Sequence, residues 1–218
     1  MTEIISGGIR YYNFSSFVTI GYDNKKSIEP TGALNRTSIE GHLVIEKYFH
    51  DLPIKFLAPN AFYRCILLTQ ITIQADIPSI PYGCFADCYN LQRVEFPASL
   101  QSIEDRGIIF WNVTSASVSS ANHLSNTSCT IVFRGSQLTS IGAQNFGYCQ
   151  YVILIFEYPV KCQLAKNIFI ETKQIRIYSI RPMSFGSYSV ISEYCSYKLG
   201  YYPGHNFMHA LAVFLYIY

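Results

Sequence analysis

"IPYGCFADCYNLQRVEFPASLQSI", residues 80–103, follows "LAPNAFYRCILLTQITIQADIPSI", residues 57–80, and the two lines carry their apolar letters at the same places. Leu57, Ile80 and Ile103 stand 23 residues apart. Phe62, Phe85 and Ile108 keep the same step, as do Cys65, Cys88 and Trp111. Leu68 matches Leu91, Ile71 matches Val94, and Ile73 matches Phe96, while Ala61, Cys84 and Gly107 form a column of small residues. Further on, "IGAQNFGYC" (141–149) returns to these columns through Ile141, Phe146 and Cys149. "LAKNIF" adds Leu164 and Phe169, and a shorter unit, "IRPMSF", ends at Phe185. One such copy cannot bury its own apolar face. Stacked copies bury each other's, and equal letters become ladders through a shared core.

Each copy divides into two parts. "LLTQITI" (67–73) and "NLQRVEF" (90–96) alternate apolar and polar letters towards their ends, as half-buried strands do. Strands one period apart run parallel, so the copies predict a curved parallel sheet. "IPYGCFADC" holds Pro and Gly, then a small residue, an aromatic and a cysteine. That order predicts a turn and one short helical or irregular turn on the convex side, with Phe and Cys pointing inward.

A fixed period of 20–29 residues with apolar columns is the signature of leucine-rich repeats. The order Pro, Ile, x4, Phe, x2, Cys, then Leu-x2-Ile-x-Ile resembles the BspA-like leucine-rich repeats of bacterial surface proteins and protist surface antigens, over roughly residues 54–188. The fold class expected is an α/β-type solenoid, mostly β, of about five rungs. Three departures stand out: "GIIFWN" replaces the Phe and Cys letters near 108–111, the strand in "YVILIFEYP" is shifted by one residue on one side, and Thr172 stands where Cys is expected after Phe169.

The expected organisation is an N-terminal segment, 1–42, partly ordered; a repeat solenoid, 43–188; and a C-terminal cap or tail, 189–218. Between Ile103 and Ile141 the spacing grows to 38 residues. The surplus falls in "NVTSASVSSANHLSNTSCT" (112–130), which has no charged residue and predicts an inserted loop. "HLVIEKYFHDLPIKFL" (42–57) predicts a strand and turn leading into the first Phe column.

Composition limits the chemistry. Half of the residues are apolar, 16% are aromatic and 14% are charged, which excludes disorder. The net charge is +2 and the nearest basic cluster is Lys25-Lys26, so nucleic acid is not an expected partner. "MTEIISGGIRYYNF" carries an acid at position 3 and no long apolar core, unlike a secretory signal. The C-terminal "FMHALAVFLYIY" is shorter than the roughly 18 apolar residues of a membrane span.

Of seven cysteines, Cys65, Cys88 and Cys149 fall in the repeat column, where a buried thiol acts as a small apolar residue. Cys84 belongs to the small column and no ligand pair follows at zinc-finger spacing, so no metal is expected. His205 and His209 share a helical spacing, but Asn206 stands where a zincin carries Glu. "SGGIR" lacks a phosphate-loop pattern, and no catalytic residue or cofactor site is expected. Sequons at Asn13, Asn35, Asn112 and Asn126 permit exposure outside the cell.

These readings predict a non-enzymatic binding module whose partner, protein or glycan, meets the concave sheet face. The strand register puts Gln70 and Thr72, Arg93 and Glu95, and Arg176 and Tyr178 on that face in adjacent columns. The resemblance implies surface-antigen or adhesin-like roles and a cell-surface or secreted location. The alternative, a cytoplasmic scaffold component, rests on the missing signal, the missing span and free thiols, which suit a reducing compartment.

Overall fold

The computed structural model describes residues 1–110, 125–165, 167–169, 172, 174–179, 184–185 and 196–200, with backbone alone at 125–127, 184–185 and 196–200. Two parallel sheets run along the repeat. The first has seven strands: β4 (Gly41–Ile45), β7 (Leu68–Ile73), β9 (Arg93–Phe96), β11 (Ser125–Phe133), β13 (Cys149–Phe156), β15 (Gln174–Ser179) and β17 (Ser196–Gly200), laid side by side in chain order. The second is a ladder of short strands: β8 (Ser79–Ile80), β10 (Ser102–Ile103), β12 (Ser140–Ile141), β14 (Lys161–Leu164) and β16 (Ser184–Phe185). No helix occurs among the described residues; the segment between the sheets is built of turns.

The columns are the physical ladders. Ile80, Ile103, Ile141 and Leu164 pair one with the next, and Val94, Ile131, Leu154 and Ile177 do the same in the long sheet. Phe62, Phe85, Phe146 and Phe169 all lie in one core, each at most 2% exposed. Phe62 and Phe85 stack with ring centroids 5.4 Å apart. A second aromatic ladder, Phe96, Phe133 and Phe156, lines the end of the long strands at 5.3 and 4.5 Å. Phe185 takes its place in β16, but its side chain, with Trp111, Ile180 and His205 and His209, lies outside the described residues.

On the turn side the backbone conformation repeats as strictly as the letters. Asn60, Gly83, Arg106, Gln144 and Asn167, each three residues after a ladder position, all adopt φ between 56° and 65°. This left-handed conformation opens each rung's turn. Every second amide then donates to the following rung: Asn60 to the Tyr82 carbonyl, Phe62 to Cys84, and Arg64 to Ala86. The cysteine column has a polar task besides packing. Cys88 Sγ donates to the Phe62 carbonyl at 3.1 Å, and Thr172 Oγ1 makes the same bond to Phe146 at 2.7 Å. Threonine can therefore replace cysteine at such a position, since both are small side chains with a donor within reach of that carbonyl.

The long sheet reaches into the stretch expected to be a loop over 112–130. β11 begins at Ser125, and Cys129, Ile131 and Phe133 alternate inward while Ser128 and Thr130 turn away. Serine and threonine at the outward positions suit a strand with one solvated face, and they conceal its pattern in a polar composition. The expected one-residue shift at β13 is real: Leu154 follows Cys149 by five residues, whereas Val94 follows Cys88 by six, and a register irregularity in the β11–β13 pairing accompanies it.

Residues before the first Phe column close the solenoid end. β1 (Thr2–Ser6), β2 (Ile9–Asn13) and β3 (Val18–Ile20) are antiparallel neighbours, and β3 joins β6 (Leu52–Leu57) in parallel, with β5 (Tyr48–Phe49) at the far edge. Val18, Ile20, Ala33 and Ile39 add their side chains to the common core. The Thr31 amide donates to Asn60 and those of Gly32 and Ala33 to Ala61, so this segment stands where a preceding rung would. The Asn60 side chain secures the arrangement. Its amide lies 3.1–3.3 Å from the carbonyls of Asn24, Lys25 and Ser27.

Candidate binding surfaces

The long sheet buries one face and presents the other. Ile71, Ile73, Val94, Phe96, Ile175 and Ile177 point into the core, so the alternate residues Gln70, Thr72, Arg93, Glu95, Arg176 and Tyr178 point away from it. Gln70 pairs with Arg93 and Thr72 with Glu95, so four of the six are direct neighbours. Arg176 and Tyr178 belong to the same two rows but stand three strands away. At about 4.8 Å per strand that is roughly 14 Å. Thr130 and the half-buried Ile153 fill one row between them, and Val132 and Ile155, both buried, fill the other.

Arg93 and Glu95 do not stand free. Arg93 Nη2 lies 2.6 Å from Glu95 Oε1, Arg134 Nη2 lies 2.5 Å from Glu95 Oε2, and Arg134 Nη1 reaches Glu157 at 3.1 Å. A chain of four charges therefore crosses three rungs. Burial would push the Glu95 carboxyl up, but the hydrogen bonds from Arg134 and Arg93 outweigh it and hold the group below its ordinary value. Thr72 Oγ1 meets His42 Nε2 at 2.9 Å. Arg134 and Glu157 were not among the residues expected from sequence. Their signal was available, for each directly follows a phenylalanine of the second aromatic ladder, where Pro97 follows Phe96.

The described thiols sit in the core. Cys65, Cys84, Cys88, Cys129, Cys149 and Cys162 are buried. Burial pushes Cys65 and Cys162 up to about 12, and raises Cys84, Cys88 and Cys129 well above the ordinary thiol range. Burial of this kind disfavours the thiolate, the form in which a cysteine is nucleophilic. Among the described residues no group of His, Cys, Asp or Glu is placed to hold a metal ion, and no helix is long and apolar enough to cross a membrane.

This geometry agrees with the comparisons. The BspA type leucine-rich repeat region matches residues 55–176 in six copies, more than half of the chain. The chain belongs to the BspA-type leucine-rich repeat family. Among solved structures it is similar to the leucine-rich repeat protein of T. pallidum, with a TM-score of 0.53 and 20% identity over 80% of this chain and 71% of that one. That likeness concerns the fold. No curated protein matches.

Proposed function

We propose that this chain is a non-enzymatic protein-binding module which takes its partner on the outward face of the long sheet, the concave face of a curved solenoid. The supporting observation is the registered pair of rows. They set the half-buried Ile153 between Thr130 and Arg176, with the exposed Tyr151 two residues before it on the same strand and the Arg93–Glu95–Arg134–Glu157 chain running past the strand ends. An apolar centre with a charged rim, repeated over several rungs, is the usual anatomy of a protein interface. Capture of a partner by the purified chain, followed by Arg176→Glu with Tyr151→Ala, tests it. Both residues are exposed, so the unfolding temperature should hold while binding falls. Unchanged binding, with loss instead on deleting 113–123, would move the site to that insertion.

A surface-antigen or adhesin-like role is the reading that family resemblance favours, and the exposed sequon at Asn35 is compatible with it. The buried thiols favour the other reading, a scaffold component in a reducing compartment. Protease treatment of intact cells separates the two, because only a surface protein is shaved.

A further inference from the structure

The turn side carries a cleft that the period itself does not explain. It encloses about 380 Å³, within the range of small-molecule sites. Its origin is a step in side-chain size. At the left-handed position the second rung has Gly83 between Asn60 and Arg106, and three residues on it has Ala86 between Tyr63 and Ile109. Two small residues in one rung, flanked by large ones in the next, leave a hollow. The loop 24–27, held by Asn60, closes one end of it.

The walls are cationic and aromatic. Lys25, Arg64 and Arg106 line the cleft with one carboxylate, Asp87, and Tyr63, Tyr82 and Tyr148 line it as well; Lys25 is also paired with Glu104 at 3.8 Å. Asp87 is 6% exposed and already engaged by Arg64 Nε at 3.3 Å. Arg106 Nε donates to Gln144 Oε1 at 2.5 Å, and the Arg64 guanidinium lies 5.1 Å from the Tyr63 ring centroid. Each arginine is thus anchored through Nε, while no bond from its Nη groups occurs among the described residues. A guanidinium fixed in this way keeps its paired outer N–H groups for a carboxylate. Tyrosine rings beside it supply apolar faces with hydroxyl edges, suited to a hydroxylated ring.

We propose that this turn-side cleft binds an acidic monosaccharide unit of the hexuronic acid class, its carboxylate on Arg64 and Arg106 and its ring against the tyrosines. The site is separate from the strand face and does not depend on the protein partner proposed for it. The test uses the full chain, with binding followed by calorimetry and by ligand-detected NMR. The probes are glucuronate, glucose, acetate, and a disaccharide ending in glucuronate. Glucuronate should bind at least tenfold tighter than glucose or acetate. Comparable binding of the disaccharide would assign the unit to a chain end, and its exclusion would assign the free acid; either supports the site.

Arg106→Gln should weaken glucuronate about tenfold. Ala86→Ile should abolish binding, since the same column already accepts Ile109 and the added side chain fills the floor. Unfolding temperatures report whether these variants fold. If Ala86→Ile does not fold, the exposed Arg106 substitution still decides the matter. Acetate binding as tightly as glucuronate would reduce the cleft to an adventitious anion site and overturn the proposal. So would equal binding of glucose, no binding of glucuronate, or an unchanged affinity in Arg106→Gln.

Discussion

The two sides of one rung obey different rules. On the turn side every copy from 57 to 172 repeats the left-handed residue, and all but the copy at 103–111, which has Ile108 and Trp111, repeat the phenylalanine and the small Cys or Thr. On the strand side only the inward letters repeat, and the outward rows change from Gln70 and Arg93 to Thr130, Ile153 and Arg176. The difference follows from what each side must satisfy. Turn-side groups close backbone bonds in a dry interior, where an unpaired donor costs about 1–3 kcal/mol. Outward strand groups such as Gln70, Arg93 and Arg176 reach water and carry no such cost, so they are free to diverge.

Phe85→Ala removes a fully buried ring stacked on Phe62 and should cost about 3–5 kcal/mol. Chemical denaturation measures it. A loss below about 1 kcal/mol would mean that the ladder is not the source of stability, and the contrast between the two sides would fail. The matched strand-side change, Arg176→Ala, should stay within about 0.5 kcal/mol.

Gly83→Ala should come next. Gly83 has φ +65°, and a Cβ there would lie 2.0 Å from Asn60 Oδ1. The Asn60 amide must move, releasing its carbonyl partners at 24–27, for a cost of about 1–3 kcal/mol. Hydrogen exchange should show loop 24–27 opening well before the long sheet. Equal protection in the variant would show that Asn60 does not hold the loop.

Thr172→Val keeps the shape and deletes the Oγ1–Phe146 bond. A loss of about 1–2 kcal/mol is expected, and Thr172→Cys should recover part of it. If valine is tolerated without loss, the column asks only for size.

The smallest effects are those of pH, and they carry opposite signs on the two sides. The folded state holds Glu95 below its unfolded value. Its contribution is therefore present above the ordinary glutamate range and fades as pH falls through the folded value. Asp87 is shifted the other way. Burial raises it, against the opposing hydrogen bond and charge of Arg64. Its stabilising share is full below the ordinary aspartate range and declines as pH rises through the folded value. Glu95→Gln should thus cost more at pH 7 than at pH 3, and Asp87→Asn less at pH 7 than at pH 3. Unfolding curves of the two variants across that interval test the pair. Parallel behaviour would mean that the two carboxylates sit in like environments, contrary to their different partners.

Much of this was legible in the letters, and the reason is repetition. Ile80 and Ile103 predict each other because their backbones are bonded neighbours, and Phe62 and Phe85 because their rings touch. A constraint that recurs each rung writes itself into the sequence each rung. The same logic hid β11. Its inward residues keep the columns, but its outward serine and threonine and the lengthened spacing conceal them. The chain of four charges was half visible: Arg93 and Glu95 alternate with the core letters, whereas Arg134 and Glu157 come after the strand, where no alternation applies.

From the sequence alone came the period, the parallel solenoid, the inward phenylalanines and the buried column thiols, since each is a local demand that most copies restate. Tertiary structure alone decided which outward residues become neighbours. Glu95 meets Arg134 across 39 residues because two strands pair, and the inserted length between them makes that distance irregular in sequence. It also decided the cleft, which needs the hollow left by Gly83 and Ala86, the walls of adjoining rungs and a loop from the N-terminal segment brought together. Such features arise once, from differences between copies, and a pattern built on likeness does not contain them.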